Sequence, residues 1–305
     1  MNCGVFFEKF YSNLITSKKH HIEIKNNLEQ ITEIINFEYW NKKSSSLHSI
    51  IVDSYAISTN LDDKNINVLV ELPWYMHKRY SLYGGNGPLA LLDDVNKKFR
   101  KFLKSSITLD CRKIKIDFEE DISFKVIPVF LNEDGSYTYP DPIAGGSFKA
   151  TNPRRSIYLF NKLDKQMNGN LKIFVKMIKI WNENWNLDLE EALIDAIVYE
   201  FFEDYKIGSV KNFMSYDWYT RDFFEYMIEK GPDYYWYIPG TDDGVMPKSP
   251  YLLLKALKKS LVLAEEAMEL QLKDYKLLSR DKWIEIYGEI FAREKPLSIN
   301  GEEII

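Results

Sequence analysis

The sequence is poor in the residues that build redox and metal centres. Its 305 residues include two cysteines, Cys3 and Cys111, and four histidines, and neither set has the spacing of a metal or redox motif. We therefore expect idle or buried thiols, as in a reducing compartment. No apolar run reaches 18 residues and no basic leader segment is recognisable, which predicts a soluble, cytoplasmic protein without a membrane partner.

The sequence also has no excess of basic residues. The formal net charge is -5, so the chain as a whole has no electrostatic drive toward nucleic acid. Lysines on the helix predicted at about 89–103 are interpreted as a solvated face, because no neighbouring aromatic residues suggest base stacking. The glycine-containing segment 80–88 lacks the spacing of a P-loop and predicts a linker into that helix.

What the chain does have is enough apolar residues for a large core, with 45% hydrophobic and 15% aromatic residues. Short alternating segments predict strands at 107–111, 113–118, 122–131 and 137–142. From about residue 170 onward, apolar positions recur with helical spacing. Strands followed by helices predict an α+β fold, which we divide into residues 1–165 and residues 166–305.

One stretch, residues 48–72, carries the clearest chemical pattern. An apolar run enters a turn that contains Asp53 and Ser54, and a strand follows after a polar loop. In that strand apolar residues alternate with polar ones, so Asn65 and Asn67 share one face. A hydroxyl in a loop and polar side chains on a neighbouring strand are a layout that can hold a phosphate and a metal.

The order of these motifs resembles the bacterial cyclic-oligonucleotide synthases of antiphage signalling, the cGAS/DncV-like nucleotidyltransferases of the DNA polymerase β-type superfamily. Matching segments run through most of the chain. They are 53–70 (a Gly-Ser loop and Asp-x-Asp strand in the family), 124–137 (the strand with the third aspartate), 151–153, 179–182, 216–224, 239–241 and 282–291.

The resemblance implies a bilobed fold, with a nucleotidyltransferase palm built on a mixed sheet and a C-terminal helical lobe. In active relatives three carboxylates bind two Mg²⁺ ions that activate a hydroxyl and stabilise pyrophosphate. The matching positions here are Asn65, Asn67 and Lys125. Two neutral amides and a cation replace three anions, and an ammonium group repels the divalent cations that the family's site holds.

Two further departures agree with this change. The glycine of the family's Gly-Ser pair is Asp53, and Glu191 stands where relatives carry a triphosphate-binding serine. We therefore predict a catalytically inactive member of the family, a pseudo-enzyme that needs no cofactor. It would act by binding a nucleotide or a protein partner, such as an active synthase or an effector.

The resemblance also implies residues that retain binding capacity. Ser54 can donate to a phosphate, Lys179 and Lys176 can reach a triphosphate, and Tyr137 can stack on a base. Each residue has a structural alternative. Ser54 is equally interpretable as a turn residue, the lysines as a solvated helical stripe, and Tyr137 as a packing residue.

Two other hypotheses remain open. In the first, the chain is a divergent synthase that binds Mg²⁺ through relocated carboxylates, with Asp63 as the alternative metal ligand beside Asp62 and either Asp117 or Asp121. In the second, it is an interaction subunit whose pocket is filled or collapsed.

Overall fold

A computed structural model describes residues 3–14, 20–62, 64–119, 121–205, 213–293, 298–299 and 302–303. The chain divides into two compact units, one formed by 16–160 with 239–243 and the other by 1–15, 161–238 and 244–305. The second unit is mainly helical and includes the N-terminal helix. This division falls five residues before the predicted boundary at 165/166 and assigns the N-terminal helix to the helical unit.

The first unit, called the palm unit here, is organised around a mixed sheet. Its strands are β1 Ser49–Val52, β2 Asn65–Glu71, β3 Ser106–Asp110, β4 Lys113–Asp117, β5 Ser123–Leu131, β6 Tyr137–Asp141 and β7 Ser147–Thr151. The order is β1-β2-β5-β4-β3, with β6 paired to β5 and β7 paired to β6. The pair β2–β5 is parallel and the other pairs are antiparallel.

Alternating side chains give this sheet one apolar face and one face that carries both polar residues and a smaller apolar cluster. On β2, Ile66, Val68 and Val70 have no exposed surface, and Phe124 and Val126 of β5 share their core cluster. Two amphipathic helices, α2 His21–Trp40 and α5 Gly87–Phe102, contribute residues to the same cluster. The opposite face of β2, β5 and β4 carries the polar residues, and it is the face that matters for function.

The palm unit also contains short helices. These are α3 Asp53–Ala56 and α4 Trp74–Ser81, and α6 Pro153–Gln166 starts within this unit. The loop before α5 comes very close to the β6–β7 turn: a Cβ on Gly146 would lie 1.8 Å from the carbonyl oxygen of Gly85. Both positions therefore require glycine.

The helical unit contains α1 Cys3–Leu14, α7 Asn170–Asn184, α8 Glu191–Tyr205, α9 Tyr216–Lys230, α10 Pro250–Leu272 and α11 Lys276–Tyr287. Short strands pair at Trp236–Tyr237 with Gly244–Val245, and at Ser298–Ile299 with Glu302–Glu303. Its core is aromatic: Phe7 lies with its ring centroid 5.1 Å from Trp283 and 5.2 Å from Phe291. The predicted α+β class is confirmed.

Several expectations from the sequence change in detail. The strand β7 and the helix α6 were not predicted, and the turn at Asp53 is a short helix. Cys111, expected as an idle or buried thiol, is free and exposed. Within the described part of the chain, no helix combines the length and apolar character that crossing a membrane requires.

Candidate functional site

The two strands that carry the predicted site residues are direct neighbours. Because β2 and β5 pair in parallel, Asn67 lies opposite Lys125 and Asn65 lies opposite Ser123. Residues opposite each other in a ladder project to the same face. Asn67 and Lys125 are partly buried, and Asn65 is exposed. The structure thus brings together the amide and the ammonium that occupy two of the three carboxylate positions implied by the resemblance.

The next strand adds two more lysines to this face. In the antiparallel pair β4–β5, Lys115 lies opposite Lys125, so two lysines are cross-strand neighbours. Like charges in that position destabilise a sheet. Lys113, two residues earlier on the same face, donates from Nζ to Oδ1 of Asn67 at 3.3 Å. We call Lys113, Lys115 and Lys125 the lysine row.

Little negative charge balances the lysine row. Lys115 pairs with Asp117 at 2.8 Å. Among the residues that the structure describes, no carboxylate lies within 4.0 Å of the Nζ atom of Lys125 or Lys113. Glu71 lies on the same face of β2 but pairs with Arg154. Among the described residues, Asp117 is therefore the carboxylate in ion-pair contact with the three lysines of the row.

A small cavity opens on the same face. Its volume is about 220 Å³, and Leu69 and Ile127, each two residues beyond Asn67 and Lys125, form part of its wall. Lys113 and Asp53 also line it. The cavity is smaller than the roughly 300–1,000 Å³ of a pocket for a drug-sized ligand. It therefore suits one small group, and Lys113 is the member of the lysine row that lines it.

Arg112 also lines the cavity, but its charge is already neutralised. The guanidinium donates to both carboxylate oxygens of Asp141, from Nε at 2.7 Å and from Nη2 at 3.1 Å, and Lys149 approaches the same carboxylate at 2.5 Å. Asp141 has no exposed surface. Burial would raise its pKa, but the hydrogen bonds from Lys149 and Arg112 outweigh burial and lower the pKa to about 2.

The turn that follows β1 departs from what a phosphate loop needs. Asp53 has a φ of +58°, in the left-handed region that glycine adopts without strain. The predicted phosphate donor Ser54 follows it in the four-residue helix α3 and is 5% exposed. The position that the family fills with glycine therefore keeps the glycine-like backbone but carries a carboxylate.

Tyr137, the predicted base-stacking residue, is fully buried. It packs with Val52, Leu69 and Val129. Its hydroxyl donates to Oε1 of Glu71 at 2.6 Å and accepts a hydrogen bond from Nε of Arg154 at 2.7 Å. Burial and the Glu71 carboxylate raise the pKa of Tyr137 to about 12, against the opposing effect of Arg154. This environment favours the packing interpretation over stacking on a base.

The predicted triphosphate lysines lie on α7 in the helical unit. Lys179 is 3% exposed, and its Nζ lies 2.9 Å from Glu191 and 3.4 Å from Asp195. Lys176 is partly buried and donates to the carbonyl oxygen of Leu14 at 3.5 Å. The solvated-stripe interpretation is therefore wrong for Lys179. Its role in phosphate binding stays a prediction, and its charge is already matched by two carboxylates.

The relocated-carboxylate hypothesis gains no support from the described residues. Hydrogen bonds from Lys115 and Ser123 lower the pKa of Asp117, so that carboxylate is committed to its own strand neighbours. Asp121 pairs with Lys64 at 3.5 Å. Asp62 is exposed, and its side chain accepts from the backbone of Lys64. Asp63 lies outside the described residues.

Mg²⁺ does not fit the residues on this face. The ion prefers charged oxygen ligands, and the positions implied for it hold two amides and Lys125. In the part of the chain that the structure describes, no group of three or more His, Cys, Asp or Glu side chains is arranged to hold a metal. An amide oxygen that already accepts from Lys113 is a poor ligand for a cation.

Sequence reasoning missed most of the lysine row. It identified Lys125 but not Lys113 or Lys115, because which strand lies beside β5, and in which register, is a non-local property. A signal was available in the alternation of β4, where Lys113, Lys115 and Asp117 share one face and two isoleucines share the other.

Comparison with known proteins gives the family. A family model described as Second Messenger Oligonucleotide or Dinucleotide Synthetase domain (SMODS) matches residues 1–163. A probable cyclic nucleotide synthase of Bacillus cereus is 23% identical over 177 residues, which are 52% of this chain and 50% of that protein. The chain thus spans about half the length of this curated relative.

Solved structures extend the similarity to the whole fold. CdnC of Escherichia coli MS115-1, in a CdnC:HORMA-deltaN complex, superimposes with a TM-score of 0.68 at 14% identity, covering 94% of this chain and 97% of CdnC. The cyclic dinucleotide synthase CdnE of Elizabethkingia meningoseptica, solved with GTP and Apcpp, has a TM-score of 0.60 at 14% identity, covering 83% and 95%. The resemblance and the nucleotidyltransferase fold are both confirmed.

Proposed function

The chain belongs to the Second Messenger Oligonucleotide or Dinucleotide Synthetase family, and from that premise we propose that it binds a nucleotide without joining nucleotides together. It is a catalytically inactive member whose output is a binding event in antiphage signalling. The single observation that carries the proposal is the direct adjacency of Asn67 and Lys125, with Lys115 opposite Lys125, on one face of the palm sheet.

The chemistry follows from charge. Nucleotidyl transfer by two metals needs anionic ligands that hold both ions beside the attacking hydroxyl and the leaving pyrophosphate. A site with amides and ammonium groups has no such ligands, so it cannot deprotonate a hydroxyl by this route. The same ammonium groups are good partners for phosphate oxygens, since charge-assisted hydrogen bonds are stronger than neutral ones. The site therefore retains affinity for phosphate without the metal chemistry.

A protein partner is the second element of the proposal. CdnC, which shares the fold, was solved in complex with a HORMA protein, so a member of this fold can act within an assembly. A chain that binds nucleotide without consuming it fits the role of a regulatory subunit for an active synthase or an effector. If the chain instead binds a partner but no nucleotide, it is the pure interaction subunit.

The test is direct. The purified full chain is incubated with each of the four ribonucleoside triphosphates, singly and mixed, with Mg²⁺ or Mn²⁺, and pyrophosphate and nuclease-resistant products are measured. We expect neither above the level of a no-enzyme control, while at least one triphosphate raises the melting temperature.

Robust product formation would overturn the proposal and favour the divergent synthase. In that case Asp63→Ala and Asp117→Ala identify whether relocated carboxylates carry the activity. Absence of any nucleotide-induced stabilisation, together with a stable complex on co-purification with a candidate synthase, would favour the interaction subunit.

A further inference from the structure

Among the residues that the structure describes, the lysine row has one carboxylate in ion-pair contact, Asp117 on Lys115. Lys115 and Lys125 are cross-strand neighbours on adjacent strands, which lie about 4.8 Å apart in a sheet. Like charges directly opposite each other on neighbouring strands are unfavourable by themselves. Elsewhere in the palm unit, the buried carboxylate of Asp141 has two cationic partners, Arg112 and Lys149. The three lysines thus outnumber the described carboxylates that pair with them, and this favours an anionic ligand at the row.

From this imbalance we infer that the palm site binds the phosphate chain of a nucleotide in its metal-free form, with the lysine row in place of the metal ions. The inference rests on the proposed function and deepens it by naming the ligand's ionic state. Lys125 lies between the two sides of the site, Asn67 on one neighbouring strand and Lys115 on the other. Lys113 connects this row to the cavity, because it both lines the cavity and donates to Asn67.

The shape of the site agrees with an oligophosphate ligand. The row and Asn67 span three adjacent strands, so the ammonium groups can contact successive phosphates rather than one. The adjoining cavity of about 220 Å³ has apolar walls at Leu69, Ile127 and Val52, which suit a small uncharged part of the same ligand. Lys113 contacts Oδ1 of Asn67, so the amide nitrogen Nδ2 of Asn67 can still donate to a phosphate oxygen.

The direction in which Mg²⁺ changes ligand affinity distinguishes this site from one that binds phosphate through a metal ion. Where carboxylates line a site, they repel phosphate, and Mg²⁺ must bridge the two, so removing Mg²⁺ weakens binding. Where lysines line it, phosphate binds directly. Mg²⁺ then neutralises the phosphate chain in solution and is itself repelled by the ammonium groups. Mg²⁺ must therefore weaken binding at the lysine row.

The experiment is titration calorimetry of the full chain with ATP and with inorganic tripolyphosphate, in buffer containing either EDTA or excess Mg²⁺. We expect both probes to bind in EDTA and Mg²⁺ to weaken the binding of each at least about fivefold. Lys125→Met should weaken tripolyphosphate binding about tenfold or more. The matched control Lys25→Met, on an exposed lysine of α2 that pairs with Glu29, should leave it unchanged.

A variant with the three carboxylates of the family restored should reverse the effect of Mg²⁺ on ATP binding. Asn65→Asp, Asn67→Asp and Lys125→Asp combined place three carboxylates on this face, and Mg²⁺ should now strengthen ATP binding instead of weakening it. Melting curves verify that each variant is folded.

The inference is overturned if the wild-type protein binds ATP only with Mg²⁺, if neither probe binds in EDTA, or if Lys125→Met binds tripolyphosphate as tightly as the wild type does. These outcomes leave the proposed function standing when no product forms and a nucleotide still binds. Product formation would overturn the proposed function whatever the metal dependence of binding.

Discussion

Two lysines show how the two units treat buried positive charge differently. In the helical unit, Lys179 is 3% exposed and lies within 3.4 Å of two carboxylates. In the palm unit, Lys125 is partly buried, and its neighbour across the strand is another lysine. A charge that serves only the fold is normally matched by the fold, because an unmatched buried charge is expensive. We therefore expect charge balance to distinguish a lysine that serves the fold, such as Lys179, from a lysine that can bind a ligand.

The largest expected effect is a loss of stability when Lys179, the charge-matched lysine of the helical unit, is replaced. Lys179→Met leaves Asp195 and Glu191 without the ammonium between them, and we expect the free energy of unfolding to fall by about 3 kcal/mol. Urea unfolding of the full chain measures the change. Lys172→Met on the same helix is the control, since Lys172 is more exposed and should cost less than about 1 kcal/mol. Equal losses of stability in the two variants would show that Lys179 matters no more to the fold than a more exposed lysine does.

The palm unit also contains a buried charge with ionic partners: the Asp141 carboxylate pairs with Arg112 and Lys149. Asp141→Asn should lower stability by about 2 kcal/mol at pH 7, because the folded-state pKa of about 2 lies below the ordinary value of 3.8. The unfolded chain binds the proton first as pH falls. The contribution is therefore complete above about pH 5 and lost between about pH 5 and pH 2.

Unfolding free energies measured at pH 7 and pH 3 test this predicted loss of the Asp141 contribution on acidification. The difference between wild type and Asp141→Asn should shrink to about half at pH 3. The half-exposed Asp93, which pairs with Lys97 along one helix, supplies the control: Asp93→Asn should leave stability unchanged within error, because solvent screens an exposed pair. A difference for Asp141 that grows on acidification would refute the assignment.

A carboxylate introduced beside the lysine row should stabilise the protein, because the new anion can pair with the lysines. Asn67→Asp introduces an anion beside Lys125 and within reach of Lys113, so we expect stability to rise by about 1 kcal/mol. Tripolyphosphate binding should weaken in the same variant, since the new carboxylate competes for the lysines. Asn65→Asp, at the exposed end of the strand, is the comparison and should change stability less. Unchanged binding in the Asn67→Asp variant would count against the lysine row as an anion site.

The smallest expected effect is the removal of the unmatched charge itself. Lys125→Met relieves repulsion from Lys115 and should raise the free energy of unfolding by about 0.5 kcal/mol in the absence of ligand. The direction is opposite to that of Lys179→Met, although both replace a lysine with methionine. Thermal melts in EDTA and low salt measure it best, because salt screens the repulsion. Destabilisation by more than about 1 kcal/mol would show that Lys125 is a structural residue.

Much of the fold was predictable because its signals are local. The alternation of Ile66, Val68 and Val70 with Asn65 and Asn67 follows from side-chain direction in a strand, and the structure has this pattern on β2. Helices with apolar stripes were likewise readable. The edge strand β7 was missed because its residues are mostly exposed and show no apolar alternation.

The candidate site was less predictable because its properties depend on partners distant in sequence. The lysines of α7 form a regular stripe, and nothing local indicates that α8 covers Lys179 with two carboxylates. Tyr137 similarly owes its burial to Val52, Leu69 and Val129 on other strands. The adjacency of Asn67 and Lys125 was inferable only through the resemblance, since sequence alone does not give strand order.

The parallel register of β2 and β5 also limits how this sequence can change over generations. Residues 67 and 125 face each other, so the side chain at one position determines which substitutions the other tolerates. An aspartate arising first at 67 would be captured by the lysines, and an aspartate arising first at 125 would meet amides that hold metal weakly. Neither single step creates a metal site, and the first adds stability without adding activity. Under the proposed function, we therefore expect that restoring metal binding requires substitutions at both paired positions.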